Sequence, residues 1–181
     1  MRMIVDDEEL ARAAAHGDST AFGVLIERHY DRVFGLCFRL TGIRAEAEDL
    51  TQDICAALPT KLIHFKGESR FTTWLYRVTV NAAHDRRRRQ ATRSRAADGW
   101  GDWELSRQAE IDESREAHEW LHRAMALLPN ELRETVALVM DGDLTQAAIA
   151  DVLGISEGTV AWRMSEVKKR LREMRKKEGV A

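Results

Sequence analysis

Apolar residues recur at steps of three and four along most of this chain, and only two prolines interrupt them. That period belongs to helices packed through one face. Phe22, Leu25, Ile26, His29, Val33, Leu36 and Leu40 mark one side of a long helix, which Thr41-Gly42 ends. A second helix is expected from Arg44 to Leu58, with Leu50, Ile54, Ala57 and Leu58 inward and Pro59 stopping or kinking it. Phe65 to Ser69 reads as a loop, and a third helix carries Phe71, Trp74, Leu75 and Val78 on its core face. On this reading Phe65 and Tyr76 are the aromatics left free for another partner. Aromatic residues make up 7% of the chain, too few for the strands of a sandwich or barrel.

Periodicity dissolves between Ala91 and Asp112, where Ala, Asp, Gly and Ser dominate. It resumes with Ala117, Trp120, Leu121, Ala124, Leu127 and Leu128, and Pro129 closes that helix. The chain is expected to be all-α: two small helical domains, residues 1–95 and 113–181, joined by a flexible linker at 96–112. At 181 residues both have room for a modest core.

The most specific pattern lies between Thr145 and Leu171. Ala150, Gly154 and Val160 are the three positions at which two crossing helices need, in turn, a small contact, a left-handed turn and a core lock. Val160 would share its core with Ile149, Leu153 and Ile155, and Ser156 is a good N-cap for the second helix. That is a helix-turn-helix, whose second helix enters the major groove. Beyond it, Lys168, Lys169, Arg170, Arg172, Arg175, Lys176 and Lys177 face only Glu173 and Glu178, a patch suited to phosphates or to a solvated helix end.

Two further faces stand out in the first domain. Glu46, Asp49 and Asp53 line one stripe opposite Leu50 and Ile54, where like charges repel unless water or a basic surface meets them. On the next helix Arg77, Asn81, His84 and Arg88 recur at four, three and four, pointing away from Trp74 and Val78, and the helix runs into Arg86 to Arg89. An amide for base edges among cations for phosphates is what a nucleic-acid face requires.

Charge and cysteine usage narrow the class. With 28 Lys and Arg against 30 Asp and Glu the net charge is −2, so nucleic acid must be met by local patches and not by bulk charge. Cys37 and Cys55 sit within helical patterns, which argues against a disulfide framework and a paired-cysteine zinc site and suits a reducing cytosol. The N-terminus MRMIVDDEEL is acidic where a signal peptide would be basic, no apolar run approaches a membrane span, and the protein reads as cytoplasmic. No phosphate-binding glycine loop or nucleophile elbow appears, so neither catalysis nor a cofactor is expected. His118-Glu119-Trp120-Leu121-His122 matches the zinc-protease helix motif, but with no third ligand nearby and both histidines on the polar shoulder it reads as coincidence, and no metal is expected.

In chain order, the strings GDSTAF, AEDLTQD, Phe65 followed after five residues by FTTWLYRVTVNAAHD, LPNELRE and LTQAAIADVLGISEGTVAWRMSEVKKRL resemble the extracytoplasmic-function (ECF) sigma factors. The resemblance spans about Leu10 to Met174 apart from the linker. It implies that residues 1–95 are sigma region 2 and residues 113–181 region 4. It implies binding of bacterial RNA polymerase core through Glu46, Asp49, Gln52 and Asp53. It implies reading of the minus-ten element, with one base flipped from the opening duplex, by Phe65, Arg77, Asn81, His84, Asp85 and Arg88. Reading of the minus-thirty-five element falls to Thr159, Ala161, Trp162, Ser165, Glu166 and Lys169. Promoter DNA, the polymerase core and an anti-sigma factor are the implied partners.

Several residues depart from the family pattern. Cys55 and Pro59 stand where large aromatics are usual, so the helix is expected to end early. Ala148 replaces a Glu that would complete a capping box with Thr145. Ala161, Trp162 and Glu166 replace Lys, Ser and Arg, and Glu166 is suited to accept from a cytosine amine. Trp100 and Trp103 in the linker are suited to dock on a domain, to anchor in a polymerase channel, or to sit in a short local turn with partly exposed rings. Two other readings stay open at this point: a helix-turn-helix regulator acting without polymerase, and a sigma mimic that sequesters an anti-sigma factor.

Overall fold

The computed structural model describes residues 5–96 and 113–177. All regular elements among them are helices: α1 (Asp7–Ala15), α2 (Ser19–Thr41), α3 (Arg44–Leu62), α4 (Phe71–Ala96), α5 (Glu113–Ala126), α6 (Asn130–Val139), α7 (Gln146–Leu153) and α8 (Glu157–Lys177). Helix α4 takes in Ala96, the first residue of the expected linker, and residues 97–112 with Trp100 and Trp103 lie outside the described residues.

Local chemistry sets the boundaries. Asp18 caps α2 by accepting from the backbone N–H groups of Thr20 and Ala21 at 2.9 and 3.0 Å. Gly42 ends it with φ 75°, a left-handed conformation that glycine adopts without steric cost. The seven periodic residues of α2 face inward as expected, with Leu25, His29, Val33, Leu36 and Leu40 buried. His29 is satisfied in place: its Nε2 lies 2.7 Å from the Asp7 carboxylate, and its ring meets the edge of Phe71. The acidic start of α1 also reaches α4, where Glu8 accepts from the Phe71 N–H at 2.8 Å, an anion at a helix N-terminus.

Three expectations need correction. Pro59 neither stops nor visibly shortens α3, which runs on to Leu62. Leu58 and Leu62 are both buried, and their burial, about 1.5–3 kcal/mol each, offsets the hydrogen bond that proline cannot make. Tyr76 is not free: it is 1% exposed and donates its hydroxyl to Asp141, far along the chain. Phe65 is half-buried, with its ring 5.3 Å from Trp74 and 5.9 Å from Phe71. Third, Leu127 points outward, 70% exposed, while Ala124, Met125 and Leu128 take the inward positions.

Helices α1 to α4 pack around Leu36, Leu50, Ile54, Leu62, Phe71 and Leu75. In the second unit α6, α7 and α8 close on Leu138, Ile149, Val160 and Val167. The two units meet, α4 on α7 and α2 on α6, and their buried apolar residues form a continuous cluster. The reason is visible in α6: Leu132 and every residue from Glu134 to Leu138 are buried, so this helix is covered on two sides.

Candidate nucleic-acid and protein interfaces

The turn between α7 and α8 is built as its residues require. Gly154 has φ 64° and its N–H returns to Asp151, while Ile155 N–H reaches Ala150 O at 3.0 Å. Ser156 caps α8 by accepting from Thr159 N–H at 3.1 Å. Thr145 caps α7 through Ala148 N–H at 3.1 Å, with no reciprocal side chain at Ala148. On α8, Val160 and Val167 point inward, and Ala161, Trp162, Ser165 and Lys169 form the outer face. Trp162 is 62% exposed, a large apolar ring held in water. Thr159 is half-buried, with its hydroxyl 2.9 Å from that of Ser156. Glu166 is held by Arg170 at 2.9 Å, so the carboxylate proposed for a cytosine amine already has a partner on its own helix.

The acidic stripe of α3 is solvent-facing: Asp49, Gln52 and Asp53 are exposed and Glu46 is half-exposed. It is not made of acids alone. Arg86 reaches across from α4, 3.4 Å from Asp49 and 3.8 Å from Asp53, and its Nε is buried without a hydrogen bond. Sequence reasoning placed Arg86 in a basic run and missed this pairing; the signal was its spacing from Val78 and Ala82 on the side of α4 that looks toward α3. Between the two helices lies a groove of about 400 Å³ with Asp53, Lys61, Asn81, Asp85, Arg86 and Arg89 on its walls.

The residues expected to read the minus-ten element divide between two sides of α4. Asn81 is exposed on the groove, with Asp85 beside it, joined to Arg88 at 2.9 Å. Arg77 and His84 instead turn to the second unit. Arg77 pairs with Asp151 at 2.5 Å, and His84 Nε2 lies 2.8 Å from Glu134. Arg87 also reaches Glu134, which is 6% exposed. Arg39 holds Ala137 O at 3.1 Å and Asp141 at 3.3 Å, and Arg32 pairs with Asp143. Arg77 and His84 thus point away from Trp74 and Val78 and also have partners on α7 and α6, while His84 stays exposed.

The titrating groups follow burial. Desolvation pushes the Cys37 thiol up to about 11 and raises Cys55 as well; both thiols are unpaired. Burial first, and then the hydrogen bond to Asp141, raises the Tyr76 phenol well above its ordinary value. Burial lowers His122, whose ring stacks on Phe38 with centroids 4.7 Å apart and whose Nε2 has no hydrogen-bond partner. The polar-shoulder position expected for His122 is thus wrong; the side chain of His118 lies outside the described residues. Among the described residues no three His, Cys, Asp or Glu side chains gather as a metal site would need, and no helix is long and apolar enough to cross a membrane.

Comparison with known proteins bears on the family and the fold. The sigma-70 region 2 family profile matches residues 25–93, and the sigma-70 region 4 profile matches residues 118–171. The chain is 32% identical over 166 residues to the ECF RNA polymerase sigma factor SigM of Mycobacterium tuberculosis, spanning 91% of this chain and 82% of that one. It is 27% identical over 168 residues to the ECF RNA polymerase sigma factor SigW of Bacillus subtilis, spanning 87% and 90%. Among solved structures, CnrH in complex with the cytosolic domain of CnrY superposes with a TM-score of 0.69 at 25% identity, over 93% of this chain and 96% of that one. The sigma factor RpoE bound to the anti-sigma factor NepR from Bartonella quintana shares the fold, with a TM-score of 0.76 at 21% identity over 86% and 96%. Both halves of the chain, in this order and on this helical frame, make it a member of the sigma-70 family, an ECF-type RNA polymerase sigma factor.

Proposed function

We propose that this chain acts in the cytoplasm as an initiation factor and not as an enzyme, delivering RNA polymerase core to a particular set of promoters. The working division is residues 1–95 for core and minus-ten binding, 96–112 as a linker, and 113–181 for the minus-thirty-five element. Glu46, Asp49, Gln52 and Asp53 would meet a basic surface of the core enzyme. Asn81, Asp85 and Arg88, with Phe65 and the cations Arg77 and His84, would hold the opened minus-ten strand. Flipping a base costs a few kcal/mol, which such contacts must offset. Thr159, Ala161, Trp162, Ser165 and Lys169 would read the upstream duplex, with Glu166 acting through its pair with Arg170. An anti-sigma factor would hold the chain in reserve, as NepR binds RpoE.

The observation that carries this reading is the exposure of Asp49 and Asp53 on α3 together with an outward-facing recognition helix in the same chain. A regulator working without polymerase has no use for the first. Two small interfaces on one chain gain effective concentration from each other. The test is transcription from a promoter library with sigma-free core. Discrete start sites that appear only with the chain are expected, and D49A/D53A should lose core binding in a pull-down. Failure of the wild-type chain to select start sites refutes the function.

A further inference from the structure

Helix α8 carries its charge unevenly. Its first ten residues, Glu157 to Glu166, include one cation, Arg163, and the next eleven include seven. Arg163 is not offered outward: its side chain is 13% exposed and turns back to α6, 3.6 Å from the Glu131 carboxylate. The next guanidinium along the helix, Arg170, is held by Glu166 at 2.9 Å. The outer face of the early turns is instead Ala161, Trp162 and Ser165, all exposed, with the Trp162 ring 62% in water. A recognition helix lays its N-terminal residues on base edges, and the commonest specific contact there is a cation forked onto O6 and N7 of guanine. These turns have none to place. Their apolar surface matches the apolar feature of the major groove, the C5-methyl of thymine.

We propose that the first three turns of α8 select thymine through its methyl group, with Trp162 as the chief contact and Ala161 beside it, and leave guanine unread, while the cations from Lys168 onward hold phosphates. This rests on the reading of α8 as the helix that meets the upstream duplex, and it names the base chosen there. The division follows from length. At 1.5 Å per residue Lys168 lies about 17 Å along the axis from Glu157, beyond the roughly 12 Å width of the major groove. A helix entering by its N-terminus has therefore reached the sugar-phosphate rim where Lys168, Lys169 and Arg172 stand exposed. Phosphate contacts made there carry no sequence information. Affinity and choice of sequence thus fall to opposite ends of one helix, and the carboxylates Glu157 and Glu166 keep the reading end from gripping phosphates on its own.

The experiment uses holoenzyme reconstituted from sigma-free core and the full chain, on a promoter selected from templates randomised in the upstream element. Each thymine there is replaced in turn by deoxyuridine, which removes only the methyl, and each guanine by 7-deazaguanine, which removes only the N7 acceptor. At one or more positions deoxyuridine should weaken promoter binding about fourfold, as the loss of one buried methyl does, and 7-deazaguanine should change nothing. W162A should bind the thymine and deoxyuridine templates equally. K168Q/K169Q should weaken all upstream sequences alike and lower the slope of log affinity against log salt by about two. Indifference of wild type to every thymine methyl, loss on 7-deazaguanine, a deoxyuridine effect that survives in W162A, or a changed sequence preference in K168Q/K169Q overturns the assignment. The same base substitutions in a duplex selected by the full chain alone at low salt give the readout without polymerase. Failure of the initiation reading is distinct: no discrete start site on any template, whatever bases the chain prefers in a duplex.

Discussion

Replacing Tyr76 by Phe removes one hydroxyl from the contact between the two units and almost no volume. Tyr76 is 1% exposed and its hydroxyl donates to Asp141, whose side chain is 9% exposed and keeps Arg39 as a second partner. A hydrogen bond to a charged acceptor contributes roughly 1.5–3 kcal/mol, and the remaining arginine places the loss toward the low end, about 1–2 kcal/mol. For a chain of this size that lowers the thermal midpoint by about 2–8 °C. The pH dependence makes the argument sharper. The folded phenol is held above its ordinary value of 10.0, chiefly by burial. Its contribution is therefore complete below that pH and is lost as pH rises from there toward the folded value. Over that interval the unfolded chain gives up a proton that the folded chain retains, and stability falls by up to about 1.4 kcal/mol per pH unit from this group. Thermal unfolding from about pH 8 to pH 11 checks this. Wild type should lose stability more steeply than Y76F at the alkaline end, so that the two curves converge. Parallel curves, or an unchanged midpoint at neutral pH, would refute the placement of Tyr76 against Asp141.

Other outcomes follow from local geometry. D18A should lower stability by about 1 kcal/mol in denaturant unfolding, since it strips the cap that takes the Thr20 and Ala21 N–H groups. G154A meets no neighbouring atom but must hold φ 64°, so it should cost about 1 kcal/mol and weaken recognition of the upstream element in a duplex-binding assay. With its thiol raised to about 11 and fully buried, Cys37 should resist a thiol reagent in the native chain at neutral pH and react only on unfolding, while half-exposed Cys55 labels first. W162A should change which upstream sequences support transcription while leaving the midpoint of unfolding within about 0.5 kcal/mol, because the ring is 62% exposed.

Much of the fold was legible from short-range chemistry. The inward face of α2, its glycine stop, the loop ahead of Phe71 and the turn at Gly154 depend on residues within one or two helical turns of each other, so the sequence pattern displays them directly. His29 could be read as a core histidine for the same reason. What period alone misjudged were positions whose surroundings come from far along the chain. Pro59 looked like a stop because proline removes a local hydrogen bond, but the burial of Leu58 and Leu62 carries α3 through it. Tyr76 looked spare because its partner lies 65 residues away.

The candidate surfaces divide in the same manner. The acidic stripe of α3 and the outer face of α8 are properties of single helices, and the sequence by itself determined which side chains share them. The half-polar run NELRETVALV of α6 gave no sign of the second packing surface, since Glu134 and Thr135 are buried only through the way the units dock. Only the tertiary structure decided that Arg86 stands within reach of Asp49 and Asp53, and that Arg77, His84 and Arg87 meet Glu134 and Asp151. A helical repeat specifies which residues look in one direction; it carries no information about what stands opposite, because charge pairs between distant helices are set by how whole elements dock.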